Sequence, residues 1–431
     1  MYPRAVSAAL EQVVVEAYSH RAEVVRSFFD REAPRLARAC HDMARRFHRG
    51  GRILAFGTGS AATDAQHISV EFVHPVIVGK RALPAIALPN DGPSLLGLAM
   101  EDPLSTFVRP LSVLGRPEDI AIGLSPSSGN QGAAAVAAGL KEARGHGMLT
   151  IGLSGPSSDH GAGVAGAEPD WLFVCEDDDL FVVQEVHETL YHVLWELVHV
   201  FFEHRGLLEG DATGSRHDVG HSSFLYPFLS GTETGLEDVL RQVEHNIRAK
   251  AADVVEIRAQ QPPKAGDLVA MASLLSGRFE AGSKLLAFGN GGSATDAQDF
   301  VTDLVVPPAG MRPLPAISLT NEEAVVTAVA NDVGFENVFA RQVIAYGKEG
   351  DVAFGISTSG GSRNLLSAFE QARRQHLVTA ALVGYGGGPT VSRGLADRAL
   401  VIDFDYIPRI QEAQATQYHV LRILIGKLLG L

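Results

Sequence analysis

Residues 52–71 read RILAFGTGSAATDAQHISVE, and residues 284–303 read KLLAFGNGGSATDAQDFVTD. The chain states one motif twice. In each copy a short apolar run (53–56, 285–288) stops at glycines, and a segment that is polar first and apolar after follows it. A buried strand, a tight turn and a helix entered at its N-terminus account for that order. The copies part at two positions on the helix: His67 and Glu71 in the first stand where the second has Asp299 and Asp303.

Further matches lie outward from this pair in the same order, at an offset near 230 residues. ALPAIALPND (82–91) returns as PLPAISLTNE (313–322), and GLSPSSGN (123–130) as GISTSGGS (355–362). VVQEVHETLYHVLWEL (182–197) returns as RIQEAQATQYHVLRIL (409–424). The chain is an internal duplication. Each copy alternates apolar strand candidates (53–56, 85–88, 121–124, 149–153 and 172–174 in the first) with helical segments. Alternation of that kind predicts a parallel sheet with helices on both faces. Long helices open each copy (5–48, 236–260) and close it (184–204, 410–430), and flanking helices of this length pack against a partner unit. The expected fold is α/β: two doubly wound, three-layer domains in tandem, 1–205 and 236–431, related by a pseudo-twofold axis. Between them 206–235 reads as a linker, because GLLEGDATGSRHDVGHSSF (206–224) has no apolar period.

Composition narrows the function classes. With 46% hydrophobic and 20% charged residues the chain has the balance of a globular protein. A net charge of −14 without a long Lys/Arg run argues against a nucleic-acid partner. No apolar stretch approaches the roughly 18 residues that span a bilayer, so no membrane partner is expected. The N-terminal segment carries Glu11, Glu16 and Glu23 among its apolar residues, an amphipathic helix rather than a signal peptide. Two cysteines, Cys40 and Cys175, provide no disulfide framework and fit a reducing, cytoplasmic setting.

Two loops per copy sit where a strand ends and a helix begins, the place where backbone N–H groups and a helix N-terminus receive an anion. In the second copy these are GNGGSATD (289–296), with Asn290 and Ser293, and STSGGS (357–362), with Ser357, Thr358, Ser359 and Ser362. In the first copy, GTGSAATD (57–64) keeps Ser60 but has Thr58 and Ala61 in place of the asparagine and serine. Its second loop, SPSSGN (125–130), offers Ser125, Ser127, Ser128 and Asn130, and Pro126 reads as a one-residue insertion. Asp102 lines up with Asp332 in the segment that follows the second strand. These hydroxyl, amide and carboxylate side chains are the candidate sugar-phosphate contacts. On the first-copy helix His67 and Glu71 lie four apart and point from one face, a spacing that suits a shared divalent metal.

GNGGSATDAQ, the PLPAI strand, AVANDVGFENVFARQ (328–342), STSGGS and RIQE with its following histidine together resemble the phosphoheptose isomerase branch of the sugar isomerase (SIS) domain proteins. The resemblance covers both halves apart from the linker. It implies an enzyme that interconverts sedoheptulose 7-phosphate and D-glycero-D-manno-heptose 7-phosphate through an enediol, with zinc or another divalent metal. On this pattern His67, Glu71, Gln184 and His192 are the metal set, and Glu71 and His192 are the catalytic acid–base pair. Gln184 and His192 are eight apart, about 12 Å along a helix axis. One ion reaches both only if the side chains lean strongly together or come from different chains. The second copy keeps Gln411 and His419 but has the two aspartates; a new carboxylate site for a harder cation is one reading, and loss of the ancestral metal and of isomerase chemistry is the expected one. Family members are tetramers of single domains, so a homodimer of this chain, a pseudo-tetramer, is expected. The alternative is a non-catalytic SIS module that binds a sugar phosphate or scaffolds a protein partner.

Overall fold

A computed structural model describes residues 4–77, 79–127, 129–156, 163–208 and 235–430. The first half runs α1 (Arg4–His48), β1 (Ile53–Gly57), α2 (Ser60–Val73), β2 (Ala85–Ala87), α3 (Gly92–Glu101), α4 (Ser105–Leu114), β3 (Ile120–Ser125), α5 (Gln131–Gly145), β4 (Leu149–Ser154), β5 (Trp171–Val174) and α6 (Leu180–Glu203). The second half runs α7 (Leu236–Ala259), α8 (Ala265–Glu280), β6 (Leu285–Phe288), α9 (Gly292–Val305), β7 (Ala316–Ser318), α10 (Glu323–Val333) and α11 (Val338–Tyr346). It continues through β8 (Val352–Ser357), α12 (Arg363–Arg374), β9 (Val378–Val383), α13 (Gly388–Ser392), β10 (Arg398–Val401) and α14 (Ile407–Leu428). Most of the linker, 209–234, falls outside the described residues, as does Ser128.

Each half builds a parallel five-stranded sheet, β2-β1-β3-β4-β5 and β7-β6-β8-β9-β10, with helices on both faces. β1, β3 and β8 are buried along their whole length. That explains why they read as unbroken apolar runs and not as alternating strands. The strand order reverses between β1 and β3, and between β6 and β8. In sheets of this kind the crevice at the carboxyl end of such a switch point is where ligands bind. The glycine loop and the serine loop of each half are the two loops that leave those strands.

The second of these loops spans 126–130 in the first half and 358–362 in the second, so the two are equally long. Pro126 therefore replaces Thr358 and is not an insertion. The substitution removes a hydroxyl and an N–H donor from the loop.

The two cores exchange helices. Val239, Val243, Ile247, Ala251 and Val254 of α7 pack in the core of the first half. Leu10, Val14 and Tyr18, from the first part of α1, pack in the core of the second. At roughly 1.5–3 kcal/mol for each large side chain taken from water, neither core closes without the other half's helix. The closing helices α6 and α14 run through the interior, with nearly every residue from Phe181 to Val198 and from Pro408 to Leu421 buried. Such helices carry no outward polar face. Their buried Glu, Gln, His and Arg residues are held in networks between the halves.

Candidate active site

The first site collects around His67 and Glu71 on α2, both buried. Tyr191 of α6 contacts His67 Nδ1 through its hydroxyl at 3.1 Å. His67 Nε2 faces Glu71 Oε1 at 3.8 Å. The His192 ring packs edge-on to His67, with centroids 5.1 Å apart. His192 Nδ1–H donates to Glu412 Oε1 at 2.9 Å, and Glu412 is ion-paired with Arg409 at 2.9 Å. That contact fixes the tautomer and turns the Nε2 lone pair of His192 into the site, as a carboxylate behind a ligand histidine does.

The fourth member comes from the other half. Gln184 does not join His67: its Nε2 donates to Asp299 Oδ2 at 2.9 Å. The amide beside His67 belongs to Gln411, with Nε2 3.3 Å from His67 Nε2. Helix geometry gives the reason. A glutamine and a histidine eight apart cannot close on one ion, so α6 and α14 each place the histidine in one site and the glutamine in the other. Gly292, at the start of α9, also comes from the second half. A Cβ there would run into both Gln411 Nε2 and His67 Nε2. Only glycine lets the second half's glycine loop approach the first half's histidine so closely.

The second half's two loops are bonded to each other, and one of them carries Gly292. Asn290 and Asn364 bond reciprocally, Asn290 Nδ2 to Asn364 Oδ1 at 2.9 Å and Asn364 Nδ2 to Asn290 Oδ1 at 2.7 Å, tying the glycine loop to the start of α12. Gln414 on α14 donates to the Ser357 carbonyl at 3.2 Å. Ser293 is buried, Thr358 and Ser362 are half-buried, and Ser359 is exposed. Ser357 Oγ and Ser359 Oγ accept from the N–H groups of Gly360 and Gly361 at 3.0 and 3.2 Å.

The first half's loops are arranged otherwise. Ser60 opens α2, Ser125 Oγ donates to the Ser127 carbonyl, and Asn130 caps α5 by accepting from Ala133 N–H at 2.8 Å. Asp102 and Asp332 are exposed and meet near neighbours only, the Leu104 N–H at 3.1 Å and the Asn331 amide at 2.9 Å. The structure does not bring these two aspartates to the buried base.

Sequence reasoning missed Glu188. It lies four residues before His192 on one face of α6, and Glu188, His67 and His192 offer ligand atoms all within 4.8 Å of one another. Burial and the nearby Asp296 raise its carboxyl well above the usual range. The 184, 188, 192 spacing was the available signal.

Five buried atoms in the first site have no hydrogen-bond partner among the described residues: both Glu71 oxygens, Glu188 Oε1, His192 Nε2 and Gln411 Oε1. Buried polar atoms are rarely left so. Glu71 Oε1 lies 3.8 Å from His67 Nε2, and Glu188, His67 and His192 offer ligand atoms within 4.8 Å of one another, a donor set that fits a divalent cation held by imidazoles and a carboxylate. Burial and the neighbouring His67 hold His192 well below its ordinary value, so it stays neutral. Burial works against a charge on His67 too, yet Glu71 and Asp296 carry its pKa above the ordinary value.

At the corresponding place in the second half stand Asp299, Asp303 and His419. Asp299 accepts from Gln184, from Tyr418 Oη–H at 2.8 Å and from Thr63 Oγ1–H at 3.1 Å. His419 Nδ1 meets Glu185 Oε1 at 3.0 Å. Burial disfavours charge on His419, but Asp299 and Glu185 raise it to about 10.

Doubly wound sheets with loops leaving the switch point, and paired helices carrying a buried histidine–carboxylate set between two such units, define the class: a tandem α/β scaffold with its polar site between the repeats. The SIS domain model matches residues 17–155 and again 242–384, and the chain belongs to the SIS domain family. A phosphoheptose isomerase of Pelodictyon phaeoclathratiforme is 42% identical over 206 residues, 46% of this chain and 96% of that protein. A probable phosphoheptose isomerase of Thermoplasma acidophilum is 42% identical over 161 residues, 37% of this chain and 87% of that protein. The solved tagatose-6-phosphate ketose/aldose isomerase of Escherichia coli shares the tandem fold, with a TM-score of 0.56 over 97% of this chain and 93% of that chain, at 11% identity.

Proposed function

We propose that the chain is a sugar-phosphate isomerase that interconverts a ketose and an aldose phosphate, with sedoheptulose 7-phosphate as the substrate to test first. One observation carries this reading. The half that keeps His67, Glu71 and His192 receives Gln411 and Gly292 from the half that keeps the asparagine- and serine-bearing loops. The intact parts of both copies thereby meet in one site.

In this reading the phosphate lies on the N–H groups and hydroxyls of 289–293 and 357–362, with Asn290, Ser293, Thr358, Ser359 and Ser362 as contacts. The reacting carbons reach down toward Glu71 and His192. Isomerisation removes a proton from C1 of the ketose, its electron pair forming the C1–C2 double bond as the C2 oxygen gains a proton. The enediol then collapses by losing a hydroxyl proton from C1 and gaining a proton at C2. Glu71, with both oxygens unpartnered, takes and returns the carbon proton. Neutral His192, oriented by Glu412, has one free lone pair, on Nε2, which serves either the oxygen proton or an ion, one at a time. A divalent ion such as zinc, held by His67, Glu71, His192 and Gln411, would supply charge stabilisation at the developing enediolate oxygens. Glu188 stands as a further carboxyl beside the two histidines.

Residues 1–205 and 236–431 are read as the two SIS units with 206–235 joining them, and the chain as half of a homodimer. The test is to follow sedoheptulose 7-phosphate by NMR with zinc-loaded protein, beside Glu71→Gln. Conversion by the wild type and none by the variant supports the reading. Ligand-induced shifts without conversion would replace it with a sugar-phosphate-binding module.

A further inference from the structure

The second half does not simply lack a site. His419 presents Nε2 to Asp299 Oδ2 and Asp303 Oδ2, each at 3.6 Å. His419 Nε2 and Asp303 Oδ2 are buried and form no hydrogen bond. The His419 ring is oriented from behind by Glu185, as His192 is by Glu412. Glu185 is itself paired with Arg21 at 2.8 Å and Arg258 at 2.9 Å, so its charge is already met. Arg422 donates Nε to the Asp303 carbonyl at 2.9 Å and Nη2 to the Arg312 carbonyl at 3.0 Å. Two buried carboxyl groups therefore face one imidazole nitrogen, and among the described residues no lysine or arginine forms an ion pair with either of them.

We propose that Asp299, Asp303, His419 and Gln184 form a second cation site, suited to a harder divalent ion of the Mn²⁺ class. Asp299, Asp303 and His419 already place ligand atoms within 4.8 Å of one another. Gln184 now gives its N–H to Asp299, and a half-turn of the amide presents its carbonyl oxygen instead. Two carboxylates and an imidazole nitrogen gathered in one buried place are a donor set that a divalent ion would hold and balance. Ligand type decides the class. Three oxygens and one nitrogen favour a harder cation than the imidazole-rich set of the first site. The site would bind the two halves together through Gln184 on α6, the two aspartates on α9 and His419 on α14.

The test uses the full chain, stripped by chelator, given one equivalent of Zn²⁺ to fill the first site, and titrated with Mn²⁺ while the free ion is followed by electron paramagnetic resonance. About one Mn²⁺ per chain should leave the free signal, with spin-echo modulation from an imidazole nitrogen. The Asp299→Asn/Asp303→Asn variant should bind Mn²⁺ roughly 100-fold more weakly. Wild-type protein that takes up no Mn²⁺, or holds it without imidazole modulation, overturns the proposal; that measurement needs no variant to fold. Uptake unchanged in the double variant overturns it equally. Counting bound ions requires no turnover, so failure of the isomerase reading leaves this result standing, and the reverse holds.

Discussion

Glu71 has two buried carboxylate oxygens without a hydrogen-bond partner, and its pairing with His67 is the plainest sign of chemistry in the molecule. Glu71→Gln keeps the shape and removes the base, so turnover of the zinc-loaded protein should fall on the order of 100- to 10,000-fold. Circular dichroism should not change. A second residue reports through stability. His187 is fully buried, and burial holds its pKa down at about 4 against an ordinary 6.5. As pH falls the unfolded chain takes up this proton first. The contribution of His187 is therefore complete above pH 6.5 and lost progressively toward pH 4. It amounts to about 3 kcal/mol over that window. His187→Gln should flatten the acid limb of the denaturation midpoint plotted against pH; an unchanged limb would mean that His187 is not kept neutral.

At the scale of elements, α6 and α14 are the parts that span both sites. Gln411→Ala should lower metal retention and turnover in a chain whose His67, Glu71 and His192 are untouched, measured by metal analysis and NMR turnover on the same sample. Gly292→Ala should do likewise, roughly 10- to 100-fold, because its methyl displaces Gln411 and His67 from one another. The strands, the helices and the loops at the switch point were legible in the sequence, since each half repeats apolar runs closed by glycine. His67, Glu71 and His192 were singled out by the four-residue spacing and by the family resemblance, and the structure places His67 beside both of the others. The partner of the histidine was not legible: Gln184 and His192 are neighbours along the chain, and only the crossing of two helices shows that they serve different sites. Sequence spacing even contained the warning, in the 12 Å that separates residues eight apart on a helix. Glu188 was missed because no second-copy carboxylate marks its position, where Ala415 stands.

Over the whole molecule, two features carry predictions. Apolar side chains are exposed at matching places in the two halves: Val73 and Ile86 in the first, Val305 and Ile317 in the second. Val306, 72% exposed, and Tyr346 extend the second of these patches along a cleft of about 510 Å³. A second copy would cover both patches, so sedimentation should report a dimer, and a charged residue at Val306 should shift it toward monomer. The other feature is the exchange of α1 and α7 between the cores. Heating should produce one cooperative transition for both halves, since neither core is complete without a helix from the other; two resolved transitions in calorimetry would contradict this.

The composite site has a consequence for inheritance. When an assembly is built from identical single domains, any change in a ligand residue is written into every site at once, and a harmful one has no refuge. In this chain the two copies are encoded separately but folded as one body. His67 and Glu71 could stay fixed on α2 while the matching positions on α9 drifted to aspartate, and Asn290 and Ser293 could stay while Thr58 and Ala61 took their places opposite. Each copy shelters the losses of the other, and the chain is now obliged to remain whole.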